Sequence, residues 1–239
     1  VLLAYTRGIE DVCAAAEFFG LEPFDESFYL DFPDMEKAAD RIRKAVDDFE
    51  SIAIYGDYDV DGVTATAVLY LYLESINANV SYYIPDRHTE GYGLSMSAID
   101  KLHERGVKLI VTVDNGISAI KEAEYIKELG MELVITDHHL PGETLPDAVA
   151  VVDPHREDCS LEFKDFVGAG VAYKLICAIE GESNESTEKY IDLVALGTVA
   201  DVMPLVGENR SIVKRGLYRI ATAPSVGISA LREVAGTTD

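Results

Sequence analysis

The stretch GDYDVDG at residues 56–62 places a carboxylate at every second position, as Asp57, Asp59 and Asp61. Such spacing opens the calcium loop of an EF-hand, which also needs a bidentate glutamate at its twelfth position. Counting from Asp57, the twelfth residue is Val68, and the preceding SIAIY is typical of a buried strand and not of a helix. An EF-hand is therefore excluded, and the three carboxylates lie between a predicted strand and a predicted helix.

Residues of metal-ligand type also follow three other predicted strands. Asp114 ends VKLIVTVDNG, the trio Asp137, His138 and His139 ends MELVITDHH, and Asp153 with His155 ends AVAVVDPHR. One aspartate at a strand end is explained equally well by turn formation. In an open parallel sheet, however, the carboxyl ends of the strands form one edge, and ligands bind there. Four such strand ends therefore favour a binding site.

Asp201 is an isolated charge in the apolar stretch from Leu193 to Val206. A buried carboxylate without a partner is unfavourable, and a cation would serve as its partner. A set of five aspartates and one histidine is rich in oxygen and suits Mn²⁺ or Mg²⁺ better than zinc. Two such ions, roughly 3.5–4 Å apart, can activate a water and stabilise the leaving oxygen in phosphoryl transfer. Asp114 lies between the triple-aspartate loop and the histidines and is the natural bridge.

An alternation of strands and helices must position these residues. The predicted strands are 51–55, 79–84, 108–113, 132–136 and 149–152, and the predicted helices between them are 62–76, 95–105 and 117–129. The strands are continuous apolar runs, which is typical of a parallel sheet covered on both faces. We therefore predict an α/β fold: an open, mostly parallel sheet with helices on both faces, followed by a helical C-terminal segment. Its predicted helices are 169–180, 186–199, 208–222 and 226–234.

Two predicted helices, 8–19 and 34–48, precede the alternation. We expect residues 1–50 to form an N-terminal helical segment packed on a catalytic domain at 51–239. Cys13, Cys159 and Cys177 are scattered without a C-x-x-C pair, which argues against a disulfide scaffold and a zinc site. With no signal peptide and no membrane-spanning stretch in the sequence, we expect a cytoplasmic protein without a membrane partner.

The net charge of −23 argues against non-specific nucleic-acid binding over the whole surface. One stretch, ENRSIVKRGLYRI, differs from the rest: it carries Arg210, Lys214, Arg215 and Arg219 against Glu208. This stretch is either a solvated helix face or part of a nucleic-acid path.

Four segments, GDYDVDG, VTVDNG, TDHH and LGTVADVMPL, resemble in order and spacing the four motifs of the DHH phosphoesterase superfamily. Their neighbours IPDRHTEGYGL, DPHREDC, GAGVAYKL and PLVGENR are similar to those of RecJ-type single-stranded-DNA exonucleases. The resemblance covers the chain from about residue 5 to its end. It implies a metal-dependent exonuclease that trims single-stranded DNA from the 5′ end in recombination and repair. The catalytic residues it implies are Asp114, Asp137, His138 and His139.

The resemblance also implies a role for each matching residue. Asp57 and Asp59 would hold one Mn²⁺ or Mg²⁺ ion, and Asp114 would bridge it to a second. That second ion would be held by Asp61, His138 and Asp201. Asp137 would orient the histidine through its ring N–H, and His139 would face the scissile phosphate. Other phosphates would meet Arg87, Arg156, Arg210 and the turn at Gly168 and Gly170 before a helix.

RecJ-type proteins continue into a second catalytic-half domain and usually an oligonucleotide-binding module, both of which we expect to be absent from this chain. Because those parts would supply much of the basic groove, we expect this chain alone to bind single-stranded DNA weakly. Two alternatives stay open. One is a DHH phosphodiesterase acting on short RNA, cyclic dinucleotides or pyrophosphate. The other is a non-catalytic scaffold of the same fold.

Overall fold

A parallel sheet flanked by helices organises the chain in the computed structural model. The structure describes residues 29–181 and 184–237, together with Thr6, Gly8, Ile9, Asp11, Ala15, Ala16 and Phe19. The predicted helix at 8–19 lies mostly outside the described residues, as does Cys13. The N-terminal segment at 1–50 and its boundary with a catalytic domain therefore stay predictions.

The described residues contain five strands in a single sheet of order β2-β1-β3-β4-β5, in which every neighbouring pair is parallel. Each predicted strand is confirmed to within one residue at either end. The strands are β1 (Ile52–Tyr55), β2 (Val80–Tyr83), β3 (Leu109–Val113), β4 (Glu132–Thr136) and β5 (Ala150–Val152).

Helices connect the strands and make up the C-terminal part. They are α1 (Met35–Asp47), α2 (Val60–Ser75), α3 (Met96–Glu104), α4 (Ile120–Glu128), α5 (Gly168–Glu180), α6 (Glu185–Glu188), α7 (Ile191–Ala200), α8 (Gly207–Thr222) and α9 (Val226–Ala235). A short 3₁₀ helix at Tyr29–Asp31 precedes α1. None of the helices in the described part is both long and apolar enough to cross a membrane.

The single helix predicted at 186–199 is wrong, because two helices, α6 and α7, occupy this region with Tyr190 between them. The side chain of Asn184 accepts a hydrogen bond from the backbone N–H of Ser186 at 2.8 Å. The hydroxyl of Thr187 accepts one from the backbone N–H of Asn184 at 3.1 Å. This capping box gives the short polar helix α6 its own start, inside a stretch whose composition is typical of a loop.

Both faces of β1, β3, β4 and β5 are largely buried, as the continuous apolar strands predict, whereas the edge strand β2 is only partly covered and Tyr82 is exposed. On one face Ile52 and Ile54 of β1 belong to a core formed with α1, α2, α5 and α7. On the other face Ala53 and Tyr55 pack with residues of α3 and α4. Alternate residues of one strand therefore enter two different cores, so no position along it is free to be polar.

The order of the strands places the polar strand ends next to one another. The chain passes from β1 to β2 on one side, and β3 lies on the opposite side of β1. The loops after β1 and β3 therefore diverge at the carboxyl edge, where open α/β sheets form a binding crevice. Helix α7 packs against α2, and α8 packs against α7 as an outer layer.

Candidate metal centre

The loop after β1 holds its aspartates in defined positions through the start of α2. Asp59 is the N-cap of this helix, and its Oδ1 accepts a hydrogen bond from the backbone N–H of Gly62 at 2.9 Å. Helix α2 therefore begins at Val60, two residues before the predicted start, and Asp61 lies in its first turn. A Cβ at Gly62 would lie 2.7 Å from the Cα of Asp57, so glycine lets the helix start close to the strand end.

Asp61 is held in place by the first turn of α5, a helix that is distant in the sequence but in direct contact with it. Its Oδ2 accepts a hydrogen bond from the backbone N–H of Gly168 at 2.6 Å, and its Oδ1 accepts one from Ala169 at 3.0 Å. The prediction that Gly168 and Gly170 form a turn before a helix is wrong, because both lie in the first turn of the helix itself. Their predicted contact with a phosphate stays a prediction. The first two amides of this helix, those of Gly168 and Ala169, donate to the internal carboxylate of Asp61.

Asp114 occupies the position where β3 ends, in the left-handed region with a φ of 61°. Such a conformation is uncommon for a residue other than glycine and is often associated with function. The Asn115 amide supports the turn by donating to the carbonyls of Val113 at 2.9 Å and Tyr55 at 3.2 Å. A Cβ at Gly168 would lie 2.4 Å from the Cβ of Asp114, so α5 touches this residue directly.

Within the described part of the chain, three groups of side chains bring their ligand atoms within 4.8 Å of one another. Asp114 belongs to two groups and links the triple-aspartate loop to the histidines. His138 likewise belongs to two groups, and its Nε2 lies 3.1 Å from Oδ1 of Asp114 and 3.8 Å from Oδ2 of Asp61. The groups are Asp57–Asp59–Asp114, Asp61–His138–Asp201 and Asp114–His138–His139.

Asp137 holds the loop after β4 and orients His139. Its Oδ1 lies 2.7 Å from Nδ1 of His139 and accepts the backbone N–H groups of His138 and His139. Its Oδ2 accepts the N–H of Ile117 at 2.9 Å. The prediction that Asp137 orients the metal-binding histidine is thereby corrected, because its ring partner is His139. The Nε2 of His138 lies instead beside the carboxylates of Asp114 and Asp61.

The electrostatics of the cluster favour a cation. Burial, followed by repulsion from Asp114, raises the pKa of Asp61. Burial, followed by repulsion from Asp59 and Asp137, raises the pKa of Asp114. Among the described residues, Oδ1 of Asp57 is buried without a hydrogen-bond partner. Carboxylates that are gathered, buried and incompletely bonded fit a divalent cation, which would offset both the repulsion and the lost hydration.

The hydrogen bond between His139 and Asp137 favours the charged form of both residues. It raises the pKa of His139 to about 9. Burial opposes ionisation of Asp137, but the bonds from His139 and from the backbone of Ile117 more than offset it and lower the pKa of Asp137. The His139 side chain is 47% exposed, which leaves the ring accessible from the crevice.

Tyr92 is a site residue that the sequence reasoning missed. Its hydroxyl donates to the backbone carbonyl of Asp114 at 3.3 Å and lies 3.4 Å from Nδ1 of His139. The segment is anchored beside it by a hydrogen bond from the Tyr55 hydroxyl to the carbonyl of Gly93 at 3.0 Å. The signals in the sequence are its place in GYG, between two turn-forming glycines, and the resemblance of the surrounding IPDRHTEGYGL to RecJ-type exonucleases.

Asp153, noted above as a strand end but given no role, is fully buried at the end of β5. Its Oδ1 accepts the backbone N–H of His155 at 2.6 Å, and its Oδ2 has no partner among the described residues. Burial, opposed by the His155 hydrogen bond and reinforced by repulsion from Asp137, raises the pKa of Asp153 to about 7. The charge of Asp153 is therefore coupled to that of Asp137.

The three arginines predicted to meet phosphates lie in different surroundings. Arg87 is exposed, with its guanidinium carbon 5.4 Å from the ring centroid of Tyr58 in the triple-aspartate loop. Arg210 lies in the first turn of α8. Arg156 is buried, and its guanidinium bonds to Asp34 and Asp158 at 2.7 Å each and to the carbonyl of Val151. Its side chain thus links the start of α1 to the loop after β5.

Comparison with known proteins gives consistent results. The family described as "DHH family, N-terminal domain" matches residues 51–198. The single-stranded-DNA-specific exonuclease RecJ of Bacillus subtilis (strain 168) is 45% identical over 98% of this chain and 29% of its own length. The RecJ of Escherichia coli (strain K12) is 42% identical over 84% of this chain and 37% of its own length. The chain thus spans about a third of the length of these relatives.

Solved structures are similar as well. A crystal structure of exonuclease RecJ bound to manganese is 38% identical, with a TM-score of 0.78, and the match covers 91% of this chain and 54% of that chain. The structure of RecJ in complex with Mn²⁺ from Thermus thermophilus is 34% identical, with a TM-score of 0.77. That match covers 98% of this chain and 33% of that one.

Proposed function

Because this chain belongs to the DHH family, we propose that it is a phosphodiesterase that degrades single-stranded DNA from the 5′ end with two divalent cations, in recombination and repair. The observation that carries the proposal is the convergence of two three-residue ligand groups at one sheet edge, joined through Asp114 and His138. The similarity to RecJ exonucleases over 98% of the chain supports the choice of substrate.

In this proposal Asp57, Asp59 and Asp114 would hold one Mn²⁺ or Mg²⁺ ion, and Asp61, His138 and Asp201 would hold the other, with Asp114 as the residue available to both. The oxygen-rich donor set and the unpartnered buried Oδ1 of Asp57 fit such ions. When bound, a pair of divalent cations lowers the pKa of a bound water and stabilises the charge on the leaving oxygen.

The remaining residues bind and orient the substrate. His139, whose ring is held by Asp137 and approached by Tyr92, presents its exposed edge to an oxygen of the scissile phosphate. The guanidinium group of Arg87, beside Tyr58, binds a neighbouring phosphate. Arg156, by contrast, contacts no phosphate in this proposal, because its guanidinium N–H groups donate to Asp34, Asp158 and the carbonyl of Val151.

A cytoplasmic location completes the proposal. Cys159 and Cys177 are buried free thiols, as expected of a protein in a reducing compartment.

A substrate panel with Mn²⁺ tests the proposed function. We expect release of mononucleotides from 5′-labelled single-stranded DNA and none from blunt duplex DNA. Activity on short RNA, cyclic dinucleotides or pyrophosphate in place of DNA would assign the centre to another phosphodiesterase reaction. Bound Mn²⁺ with no hydrolysis of any substrate would assign the chain to a non-catalytic scaffold.

The two histidines should separate metal binding from turnover. His138→Ala should lose one of two bound ions, because His138 contacts both Asp61 and Asp114. His139→Ala should retain both ions and lose turnover by about 10²-fold, the size expected when one phosphate-stabilising group is removed. Elemental analysis and single-turnover rates on the same samples give both values. Loss of an ion in His139→Ala with retention in His138→Ala would show that the roles are exchanged.

A further inference from the structure

The C-terminal helices differ in charge from the rest of this acidic chain. Residues 207–235 carry five basic and two acidic side chains, in a protein whose net charge is −23. One of the two acids, Glu208, is buried and pairs with Lys174 of α5 at 2.7 Å, so its charge is neutralised inside the fold. Arg215 of α8 is likewise paired, with Glu188 at 2.6 Å. The other basic side chains of α8, Arg210, Lys214 and Arg219, still give this helix a local excess of positive charge.

Three side chains lie along α8 at intervals of four residues, which places them on one helix face. They are Arg210, Lys214 and Tyr218. The opposite face is buried against α7, where a Cβ at Gly216 would lie 2.2 Å from the Cβ of Ala195. Tyr218 is 72% exposed, and Lys214 is exposed without an ion-pair partner among the described residues. We call this set the α8 stripe.

The helix that carries the α8 stripe follows directly after the second ligand group in the chain and packs on α7, the helix that ends at Asp201. Asp201 of the second ligand group caps the end of α7, and α8 starts six residues later at Gly207. The connection is held by hydrogen bonds from the N–H of Met203 to the carbonyl of Thr198 and from the Asn209 amide to the carbonyl of Pro204. From Arg210 to Tyr218 the helix rises by about 12 Å.

We propose that the α8 stripe binds the single strand of nucleic acid that extends from the scissile nucleotide. Arg210 and Lys214 contact successive phosphates, and the ring of Tyr218 stacks on a base. Basic side chains interleaved with an exposed aromatic ring are the combination that binds single strands without sequence preference. A polyanion is also the occupant that an isolated basic stripe on an acidic protein complements. This inference rests on the proposed function and adds the strand's path to it.

Binding of labelled dT₂₀ at several salt concentrations, with chelator present to prevent hydrolysis, tests this proposal. Tyr218→Ala should weaken binding about ten-fold, whereas Tyr218→Phe should retain it, because stacking uses the ring and not the hydroxyl. Lys214→Gln should weaken binding and reduce the slope of log K against log salt by about one. As a matched control, Lys108→Gln removes an exposed lysine at the start of β3, at the opposite sheet edge, and should keep the parent's affinity and slope.

Failure of the stripe and failure of the proposed function give different results. If the parent binds and degrades single-stranded DNA but Tyr218→Ala and Lys214→Gln bind dT₂₀ as the parent does, the stripe is not the strand's path. If sedimentation shows that these substitutions abolish self-association with dT₂₀ affinity unchanged, the face belongs to a second copy and the inference is overturned. A parent that degrades no single-stranded DNA, even at protein concentrations high enough to offset the weak binding expected of this chain, contradicts the proposed function itself.

Discussion

Replacing Asp114 by alanine should remove both metal ions together and reduce hydrolysis of single-stranded DNA by more than about 100-fold. Asp114 is the carboxylate that belongs to the group with Asp57 and Asp59 and also contacts His138. Loss of a residue that only supports a ligand already lowers metal affinity or activity by about 10–100-fold. Loss of a ligand shared by two sites should therefore have the larger effect. Manganese content by elemental analysis and the rate of nucleotide release measure it.

Two further variants make the result interpretable. Alanine is strained at the φ of 61° found at position 114, whereas asparagine tolerates this conformation. Asp114→Asn should therefore keep the parent's melting temperature and still lose the ions, which separates charge from folding. Asp40→Ala removes an exposed acid that pairs with Arg43 on α1, and should change neither metal content nor rate. Two Mn²⁺ ions per chain in Asp114→Asn would contradict the shared-ligand assignment.

Gly168→Ala should destabilise the protein by about 3 kcal/mol or more, at the upper end of measured overpacking effects, and abolish metal binding. The added methyl would lie 2.4 Å from the Cβ and 2.8 Å from the Cα of Asp114. Helix α5 cannot move away freely, because its first amides bind Asp61. Either the start of α5 or Asp114 must therefore shift. Each shift would displace a proposed metal ligand, because the start of α5 holds Asp61 and Asp114 is itself one.

Gly170→Ala is the matched control, two residues further along the same buried helix. A methyl there would lie 3.4 Å from Cδ1 of Phe166, which is ordinary van der Waals contact. Alanine should also favour the helix by up to about 1 kcal/mol. Urea unfolding and bound Mn²⁺ compare the two variants. Equal unfolding midpoints and equal metal content for both would show that α5 does not constrain the centre through Gly168.

The sheet, and the edge at which the candidate metal-ligating residues gather, were predictable from the amino-acid sequence. The strands are predictable because residues buried on both faces must be continuously apolar, as IAIY in β1 illustrates. The grouping of Asp57, Asp59 and Asp114 follows from the same reasoning, because the loops that leave neighbouring parallel strands share one edge. The evidence for this grouping was the position of these aspartates, which follow closely after their strands in the sequence.

The hydrogen-bond and ion-pair partners of the polar groups, by contrast, could be read from the folded structure alone. Asp61 binds the amides of α5 more than a hundred positions away, and Arg156 pairs with Asp34 across a similar separation. Tyr92 reaches Asp114 and His139 from a loop whose GYG sequence indicates a turn but does not specify these contacts. Such contacts depend on how helices and loops are oriented after they pack. A hydrogen bond has a range of about 3 Å, so its partner is chosen by that final placement and not by the residue's neighbours in the chain.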